Sequence, residues 1–211
     1  MKNIAQNILS VSILILYKLY SYDAHLYFIK LKNVMYSPWL RNVFKKCGNQ
    51  FYVSAPAFIK GGKYIEVGAN FSGLHIIRLG CWDVFAEQKF TPSLTVGDYV
   101  SMNNNVHIGC INKISIGNNV LFASNIFITV RFHGNLDQSE LNLAPYIRSL
   151  HSKGEVTIMD DLWIGENVSI MPNVTIGKSC VIGANSVVTK SFPDFSVIAG
   201  SPAKLIRNLN R

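Results

Sequence analysis

The sequence has few charged residues, and basic residues outnumber acidic ones. Charged residues make up 15% of the 211 positions, with 20 Lys and Arg against 12 Asp and Glu. An intrinsically disordered chain needs low hydrophobicity and high net charge, whereas 49% of these residues are hydrophobic. The net charge of +8 forms no long basic block. It therefore indicates either an anionic partner or ordinary solubility.

Paired cysteines and nucleic-acid motifs are also missing. The chain has no CxxC pair among its four widely spaced cysteines, which are Cys47, Cys81, Cys110 and Cys180. This spacing disfavours a disulfide scaffold and a structural metal centre, and it predicts reduced thiols in a cytosol. The chain also has no helix-turn-helix and no aromatic–basic recognition motif. We therefore expect no nucleic-acid partner.

An apolar stretch near the N-terminus is too short to span a membrane. It runs over 8–17 between Lys2 and Lys18, whereas a spanning helix needs about 20 apolar residues. Apolar side chains recur there at helical spacing, namely Ile4, Ile8, Val11, Ile15 and Leu19. We expect residues 1–57 to form a helical segment that packs against the body or a neighbouring subunit. Contact with a membrane surface is the alternative.

From about residue 58 a short phrase recurs, consisting of an apolar residue, any residue, Ile or Val, Gly, two more residues and another apolar residue. Its copies are 65–71, 94–100, 114–120 and 174–180, with a degenerate copy at 156–162 that has Met159 in place of Gly. In the last third an aliphatic residue stands at every sixth position, namely Ile158, Ile164, Ile170, Ile176, Ile182 and Val188. Neither a helix nor an alternating strand has this period. The period predicts a parallel β-helix of hexapeptides, each forming one side, with the aliphatic inward and Gly or a polar residue at the corner.

The phase of the repeat predicts where the chain leaves the coil. Ile128 and Ile158 share one phase although the residues between them do not follow it. We therefore predict one extruded loop over about 134–155, and such loops often carry function. The predicted divisions are a helical segment over 1–57, the β-helix over 58–193 and a tail over 194–211.

Two motifs in the last third resemble the hexapeptide-repeat acyltransferases. Residues 163–168 match the family's WIG-x-x-V rung, and 183–190 followed by 199–204 match its closing signature. The chain is most similar to the sugar O-acetyltransferases of bacterial capsule, exopolysaccharide and O-antigen loci. This resemblance implies an all-β solenoid that is a left-handed parallel β-helix, a homotrimer, and acetyl-CoA as the donor.

The resemblance also implies a catalytic histidine. His133 lies in the run 129–134, which matches the family pattern T-D-x-N-H-G. A neutral imidazole suits proton abstraction from a hydroxyl at physiological pH. However, Val130 and Phe132 stand where the pattern has Asp and Asn. The group that orients the imidazole therefore stays open between a backbone carbonyl and four carboxylates, namely Asp83, Glu87, Asp137 and Glu140.

Three residues near His133 are candidates for contact with the acceptor. Arg131 and Phe132 could shape the acceptor site, with Phe132 stacking on a sugar face, although Phe132 could equally be packing. His107 lies on the preceding coil and could line the same cleft, or it could simply face outward.

The donor site is implied by the closing signature. In the family pattern, Trp163 and Gly165 line the acetyl-pantetheine channel, and a backbone N–H near Gly165 and Glu166 meets the thioester oxygen. Ala184 and Thr189 would contact the pantetheine arm. The nucleotide phosphates would be held by Lys204 and Arg207, as expected of cations facing an anionic ligand.

These residues predict an acetyl-CoA-dependent O-acetyltransferase with His133 as general base. Its acceptor would be a sugar hydroxyl of a bacterial surface polysaccharide or a precursor, free or lipid-linked. A sugar-amine N-acetyltransferase on the same scaffold and a non-catalytic solenoid are the alternatives. We expect no metal, because His107 and His133 lack the spacing of a zinc carbonic anhydrase. We expect a cytoplasmic protein, with contact to the inner membrane through the N-terminus left open.

Overall fold

A computed structural model describes residues 2–135 and 137–209, with side chains from Ala5 onward. From Lys46 the chain winds as a parallel β-helix whose three sides are parallel sheets. This confirms the predicted solenoid. The first strand begins ahead of the boundary predicted at residue 58. The first coil keeps Gly48 of the phrase but has Lys45 and Cys47 where the later coils have aliphatic residues.

The described chain contains three α-helices, two 3₁₀ turns at Gly62–Tyr64 and Pro145–Ile147, and 24 strands. The helices are α1 (Lys2–Leu19), α2 (Tyr22–Arg41) and α3 (Gln138–Leu141). The strands of the first three coils, with one hairpin, are β1 (Lys46–Cys47), β2 (Tyr52–Val53), β3 (Ala57–Lys60), β4 (Ile65–Val67), β5 (Ser72–Gly73), β6 (Ile77–Cys81), β7 (Val84–Phe85), β8 (Gln88–Lys89), β9 (Ser93–Val96), β10 (Ser101–Met102) and β11 (His107–Cys110). The remaining strands are β12 (Lys113–Ile116), β13 (Leu121–Phe122), β14 (Phe127–Thr129), β15 (Phe132–His133), β16 (Leu150–His151), β17 (Val156–Ile158), β18 (Trp163–Ile164), β19 (Ser169–Ile170), β20 (Val174–Ile176), β21 (Val181–Ile182), β22 (Val187–Val188), β23 (Ser196–Gly200) and β24 (Ala203–Asn208).

Each coil contributes one strand to each of three sheets. Sheet A stacks β1, β4, β9, β12, β17 and β20 in that order, and sheet C stacks β3, β6, β11, β14, β19 and β22. Sheet B stacks β2, β5, β10, β13, β18 and β21, and is extended by β23 and β24. We name the corners by the sheets they join in chain order, as the AB, BC and CA corners. The strands pair in register, so the aliphatics of successive coils stack into one buried core, as Ile116, Ile158 and Ile176 do in sheet A.

Asparagine at the corners explains how the chain turns. Asn119, Asn167 and Asn185 all have φ between 56° and 58°, in the left-handed region that Asn tolerates better than most residues. Their amides also bond along the corner, with Asn167 Nδ2 donating to Asn185 Oδ1 at 3.1 Å. Of the two residue types expected at the corner, glycine or a polar residue, the polar one turns the chain at these coils. The glycine stands two residues earlier, where the next coil comes too close for a side chain.

Helix α2 closes the open end of the β-helix. Its buried Ser37 hydroxyl donates to the Val53 carbonyl at 3.1 Å and accepts from the Val53 N–H at 2.9 Å. Asn33 Oδ1 accepts from the Ala55 N–H at 2.9 Å. The helix therefore supplies, from side chains, hydrogen bonds that a preceding coil would otherwise make with its backbone.

Helix α1 does not pack against the body. Its side chains from Ala5 to Leu19 are all exposed, with Leu14 at 63% and Leu19 at 79%. Of the two expected packing modes, packing against the body holds for α2 and not for α1, and packing of α1 against a neighbouring subunit stays a prediction. The Ile4 side chain lies outside the described residues. Within the described part of the chain, no helix is long and apolar enough to cross a bilayer.

Two excursions leave the coil at the CA corner. The longer runs from the end of β14 to β17 and contains the antiparallel pair β15–β16 and helix α3. The shorter follows β6 and contains the antiparallel hairpin β7–β8. The sequence predicted the longer excursion alone, because the hairpin interrupts the repeat in its least regular part.

Candidate active site

His133 lies on the longer excursion, where that segment leaves the CA corner. It is the second residue of β15 and pairs with Leu150 of β16. Its side chain is exposed, and its ring meets the Phe85 ring edge-on, with centroids 5.4 Å apart and planes at 77°. Among residues 2–135 and 137–209, none hydrogen-bonds to the His133 ring nitrogens. The imidazole is therefore held by packing and by its strand while both nitrogens remain accessible.

The two excursions support each other. The Gln88 side chain brackets the backbone of Leu150, because Oε1 accepts from its N–H at 2.7 Å and Nε2 donates to its carbonyl at 3.3 Å. Leu150 is 2% exposed, and it is the residue that pairs with His133. The hairpin therefore fixes the strand that in turn fixes His133.

Among the described groups, none of the four candidate carboxylates orients His133. Asp83 accepts from Tyr64 Oη at 2.8 Å and pairs with Lys63 at 3.0 Å, and these contacts lower its pKa. Asp137 caps α3 by accepting from the Glu140 N–H at 2.9 Å. Glu87 lies at the turn of the hairpin and is exposed.

Glu140 orients a different histidine. Its Oε1 lies 3.2 Å from Nε2 of His151, and its Oε2 accepts from the Asn135 N–H. In an antiparallel pair, opposite residues point to the same face. His151 therefore shares a face with its partner Phe132, and His133 lies on the other face with Leu150.

The segment before His133 explains the departures from the family pattern. Val130 is fully buried, so the position that would carry Asp is part of the core in this chain. The Thr129 hydroxyl accepts from the Arg131 N–H at 3.1 Å and donates to the Arg131 carbonyl at 3.0 Å, which shapes the exit from the coil. Phe132 is partly buried and lies 5.2 Å from the Lys153 ammonium.

His107 and Arg131 lie on the outer side of sheet C. His107 stands in β11, and its ring contacts that of Phe127 with centroids 5.4 Å apart. The Arg131 guanidinium stacks over the Trp82 ring at 3.7 Å from its centroid. Burial lowers the pKa of His107, and the charges of Arg131 and Arg78 lower it further. Burial also lowers the pKa of Arg131.

The residues implied in donor binding cluster mainly on sheet B. Trp163 stands in β18 and is 55% exposed on the outer face. Gly165 and Ala184 stack at the BC corner, where a side chain on Gly165 would lie 2.7 Å from the Ala184 nitrogen. The Gly165 N–H donates to the Ile182 carbonyl at 2.8 Å, so it cannot be the donor to a thioester oxygen. Glu166 follows it at this exposed corner, and no described residue accepts from its N–H.

The C-terminal cations extend the same face. Lys204 pairs with Ala199 and Arg207 with Val197, where β24 folds back antiparallel on β23. Both strands belong to sheet B, beyond β21. Thr189 is placed differently. It follows β22 and is exposed at the CA corner, two coils beyond His133.

A single chain therefore does not bring the predicted site together. His133 and Thr189 lie at the CA corner, whereas Trp163, Gly165 and Ala184 lie at or beside the BC corner. Sheet C separates the two corners.

Sequence reasoning missed several residues that build this region. Phe85 and Gln88 support His133 and its partner strand, and Trp82 carries the Arg131 guanidinium. They lie within 82–88, where the hexad repeat breaks down, and that interruption is the signal that could have found them. In the described part of the chain, no three His, Cys, Asp or Glu residues group as metal ligands would.

Comparisons with known proteins agree with this geometry. The family model described as Bacterial transferase hexapeptide (six repeats) matches residues 155–190. A relative in Escherichia coli K12, assigned as the lipopolysaccharide biosynthesis O-acetyl transferase WbbJ, is 38% identical to this chain over 162 residues. The match covers 74% of this chain and 77% of that protein. The galactoside O-acetyltransferase of the same organism is 31% identical over 176 residues, covering 81% and 67%.

Solved structures show the same architecture. The hexapeptide-repeat acetyltransferase VCA0836 of Vibrio cholerae, solved with acetyl coenzyme A, is 26% identical with a TM-score of 0.58, covering 82% of this chain and 76% of that chain. A galactoside acetyltransferase in complex with coenzyme A is also 26% identical, with a TM-score of 0.53, covering 82% and 69%. These relatives show that the chain belongs to the hexapeptide-repeat acetyltransferases. The coil agrees with the left-handed parallel β-helix of that family.

Proposed function

We propose that this protein transfers an acetyl group from acetyl-CoA to a sugar hydroxyl of a bacterial surface polysaccharide or its precursor. The relatives support the reaction class, because one is assigned to lipopolysaccharide biosynthesis and another is a galactoside O-acetyltransferase. Solved relatives contain acetyl coenzyme A or coenzyme A. The observation that carries the proposal is an exposed imidazole on a braced strand with both nitrogens accessible.

In this proposal His133 acts as general base. A ring nitrogen takes the proton of the sugar hydroxyl as its oxygen attacks the carbonyl carbon of the thioester. The carbon–sulfur bond then breaks, and the departing sulfur takes a proton from the imidazolium. The products are the O-acetyl sugar and the coenzyme A thiol. The Glu166 N–H is the donor at the BC corner that fits the developing oxyanion.

Replacement of the imidazole tests the base. His133→Ala should reduce the rate of thiol release from acetyl-CoA by about 10²- to 10⁴-fold with a sugar acceptor, as expected for loss of general base catalysis. Acetyl-CoA binding should persist, as measured by calorimetry. The control is His75→Ala, which removes another exposed histidine, one bonded to the Ala55 carbonyl at 3.3 Å. A His133→Ala variant within tenfold of the wild-type rate would refute the role.

We further propose that the active unit is a homotrimer in which neighbouring copies complete each site. The proposal is supported by the separation of His133 at the CA corner from Trp163 on sheet B of the same chain. Co-expression of His133→Ala and Trp163→Ala chains gives the test. Mixed assemblies should recover activity that neither variant has alone, because some sites then contain both native halves. Failure of mixed trimers to recover activity would show that each chain works alone.

We also propose that α1 lies on the inner face of the membrane, with the catalytic coil in the cytoplasm. The supporting observations are its exposed apolar side chains and the aromatic residues at its end, such as Tyr17 and Tyr20. Such a helix binds by its apolar surface and by attraction to anionic lipids. The native chain should float with anionic vesicles, and a chain lacking residues 1–20 should not. Equal behaviour of the two chains would contradict the proposal.

A further inference from the structure

The outer side of sheet C carries a cleft of about 410 Å³ on the first three coils. Two parallel rows of outward residues cross the strands there. One row is Phe58, Arg78, His107 and Phe127, and the other is Lys60, Gly80, Gly109 and Thr129. The cleft is lined by Phe58, Arg78 and His107 of the first row and by Lys60 and Gly80 of the second, together with Trp82.

The two glycines leave room for side chains that fold back from the CA corner. A Cβ at Gly80 would lie 2.2 Å from the Trp82 ring, and a Cβ at Gly109 would lie 3.0 Å from Arg131 Nε. Trp82 and Arg131 therefore lie flat against the sheet where other coils have outward side chains. Trp82 is then covered by the Arg131 guanidinium at 3.7 Å and approached by the Lys60 ammonium at 5.3 Å.

The cleft concentrates positive charge without compensation. Lys60, Arg78 and Arg131 all lie in or beside it, together with His107. Within the residues that the structure describes, no carboxylate pairs with any of these three cations. Asp83, which follows Trp82 in sequence, is engaged by Lys63 and Tyr64 instead. Cations held this close repel one another, and the repulsion is relieved when an anion binds between them.

From this arrangement we infer that the cleft binds the diphosphate group of a sugar diphosphate ester, which is the acceptor. Guanidinium groups present paired donors that match phosphate oxygens, and an ammonium adds a point charge. The Phe58 ring is 54% exposed at the edge of the cleft and offers a face for stacking. The inference rests on the proposed function, because it assigns the substrate class of that same reaction.

The position of the cleft suits a sugar that lies between diphosphate and base. Arg131 and His133 are two residues apart, so their Cα atoms are at most about 7 Å apart even in an extended chain. A sugar attached to a diphosphate at Arg131 can therefore present a hydroxyl to His133. The cleft also adjoins the N-terminal helices, since Tyr36 Oη of α2 accepts from the Ala57 N–H of β3 at 3.1 Å.

Inorganic pyrophosphate is the first probe, because it has the same linked phosphates as the diphosphate group of every such acceptor. The wild-type chain should bind it in calorimetry. Arg78→Ala and Lys60→Ala should each weaken binding by about tenfold, as expected when a charge-assisted hydrogen bond is lost. The matched control is Lys113→Ala, which removes a cation on sheet A that pairs with Glu155 at 3.2 Å. No binding, or equal losses in all three variants, would overturn the inference.

A glycine variant keeps every charge and changes only the geometry. Gly109→Ala should displace Arg131 and weaken pyrophosphate binding, while the circular dichroism spectrum and the thermal midpoint confirm that the coil is retained. If Gly109→Ala folds and binds pyrophosphate as tightly as the wild type, the proposed role of the Arg131 position is wrong.

Competition identifies the source of the diphosphate. Uridine diphosphate and farnesyl diphosphate represent nucleotide-linked and lipid-linked acceptors, and we expect at least one to displace pyrophosphate with an Arg78-dependent affinity. Displacement by neither, or displacement by coenzyme A alone, would overturn the assignment to the acceptor. Failure of the proposed function would look different, with no thiol release from acetyl-CoA although pyrophosphate binding and its Arg78 dependence persist.

Discussion

The imidazole of His133 meets the ring of Phe85 edge-on at 5.4 Å, although the two residues lie on separate excursions from the coil. Phe85 belongs to a hairpin that follows the second coil, and His133 belongs to the segment that follows the fourth. Since both segments leave at the CA corner, the hairpin can brace the histidine across the coil between them. The orientation of the proposed base thus depends on an aromatic contact and not on a carboxylate.

Removal of this aromatic contact should slow transfer without unfolding the coil. An edge-to-face pair contributes about 0.5–1.5 kcal/mol, so Phe85→Ala should lower kcat by about two- to tenfold. The thermal midpoint should change little, because Phe85 lies outside the core of the coil. Val84→Ala is the control, since Val84 lies on the same hairpin and is 52% exposed. Equal rates in Phe85→Ala and the wild type would show that the contact does not position the base.

The pair of Glu140 and His151 should behave as one unit that closes the longer excursion. Glu140→Gln and His151→Ala should each speed proteolytic cleavage within 134–150, and the double variant should be no worse than either single variant. Additive effects would mean that the two side chains act independently. A loss of acetyl transfer in His151→Ala as large as that in His133→Ala would instead move the catalytic role to His151.

Reversal of the C-terminal cations should weaken donor binding. Lys204→Glu combined with Arg207→Glu should raise the Kd for acetyl-CoA by about tenfold or more, because repulsion replaces attraction to its phosphates. Pyrophosphate binding in the sheet C cleft should stay unchanged, since β24 lies at the opposite end of the coil. A double reversal that leaves the acetyl-CoA affinity intact would place the nucleotide elsewhere.

Anion binding in the cleft should strengthen as the pH falls. Burial and the charges of Arg131 and Arg78 lower the pKa of His107, which is therefore neutral at pH 7 in the free protein. Those arginines face it from the CA corner and β6, Lys60 lies on β3, and β14 presents Phe127. A bound anion offsets the arginine charges and raises the His107 pKa, so binding takes up a proton.

Sulfate is the appropriate probe for this dependence, because it does not itself titrate near neutral pH. Its affinity for the wild-type chain should increase as the pH falls, and the increase should continue below the usual histidine pKa of about 6.5, because the pKa of His107 in the free protein is lowered from that value. His107→Asn should bind sulfate with little dependence on pH. A similar slope in both proteins would show that His107 does not take up the proton.

The sequence predicted the features that repeat and missed the features that interrupt the repeat. The series from Ile158 to Val188 was enough to predict a parallel β-helix with one hexapeptide per side, because period six has no other simple structural meaning. The exit of the chain near His133 followed from the shared phase of Ile128 and Ile158. The hairpin with Phe85 and Gln88 could not be predicted this way, since it forms where the phase is lost and its contacts are distant in sequence.

Single residues were harder to interpret than the pattern. Val130 looked like a lost catalytic neighbour, and its burial shows a residue of the core. The sequence left the oxyanion donor open between the N–H groups of Gly165 and Glu166, and that of Gly165 is already bonded to the next coil. In both cases the decisive fact is a contact made by an adjacent coil. Such contacts come from residues about one full turn of the solenoid away, so the residues next to Val130 or Gly165 in sequence do not reveal them.

The cap formed by α2 has a consequence for how the chain acquires its structure during synthesis. A solenoid grows by adding each turn to the edge of the last, and the first turn has no earlier edge to copy. Ser37 and Asn33 supply that edge from a helix that leaves the ribosome ahead of strands β1 to β24. Biogenesis can therefore proceed from the N-terminus one turn at a time. The antiparallel return of β24 on β23 then terminates growth at the far end.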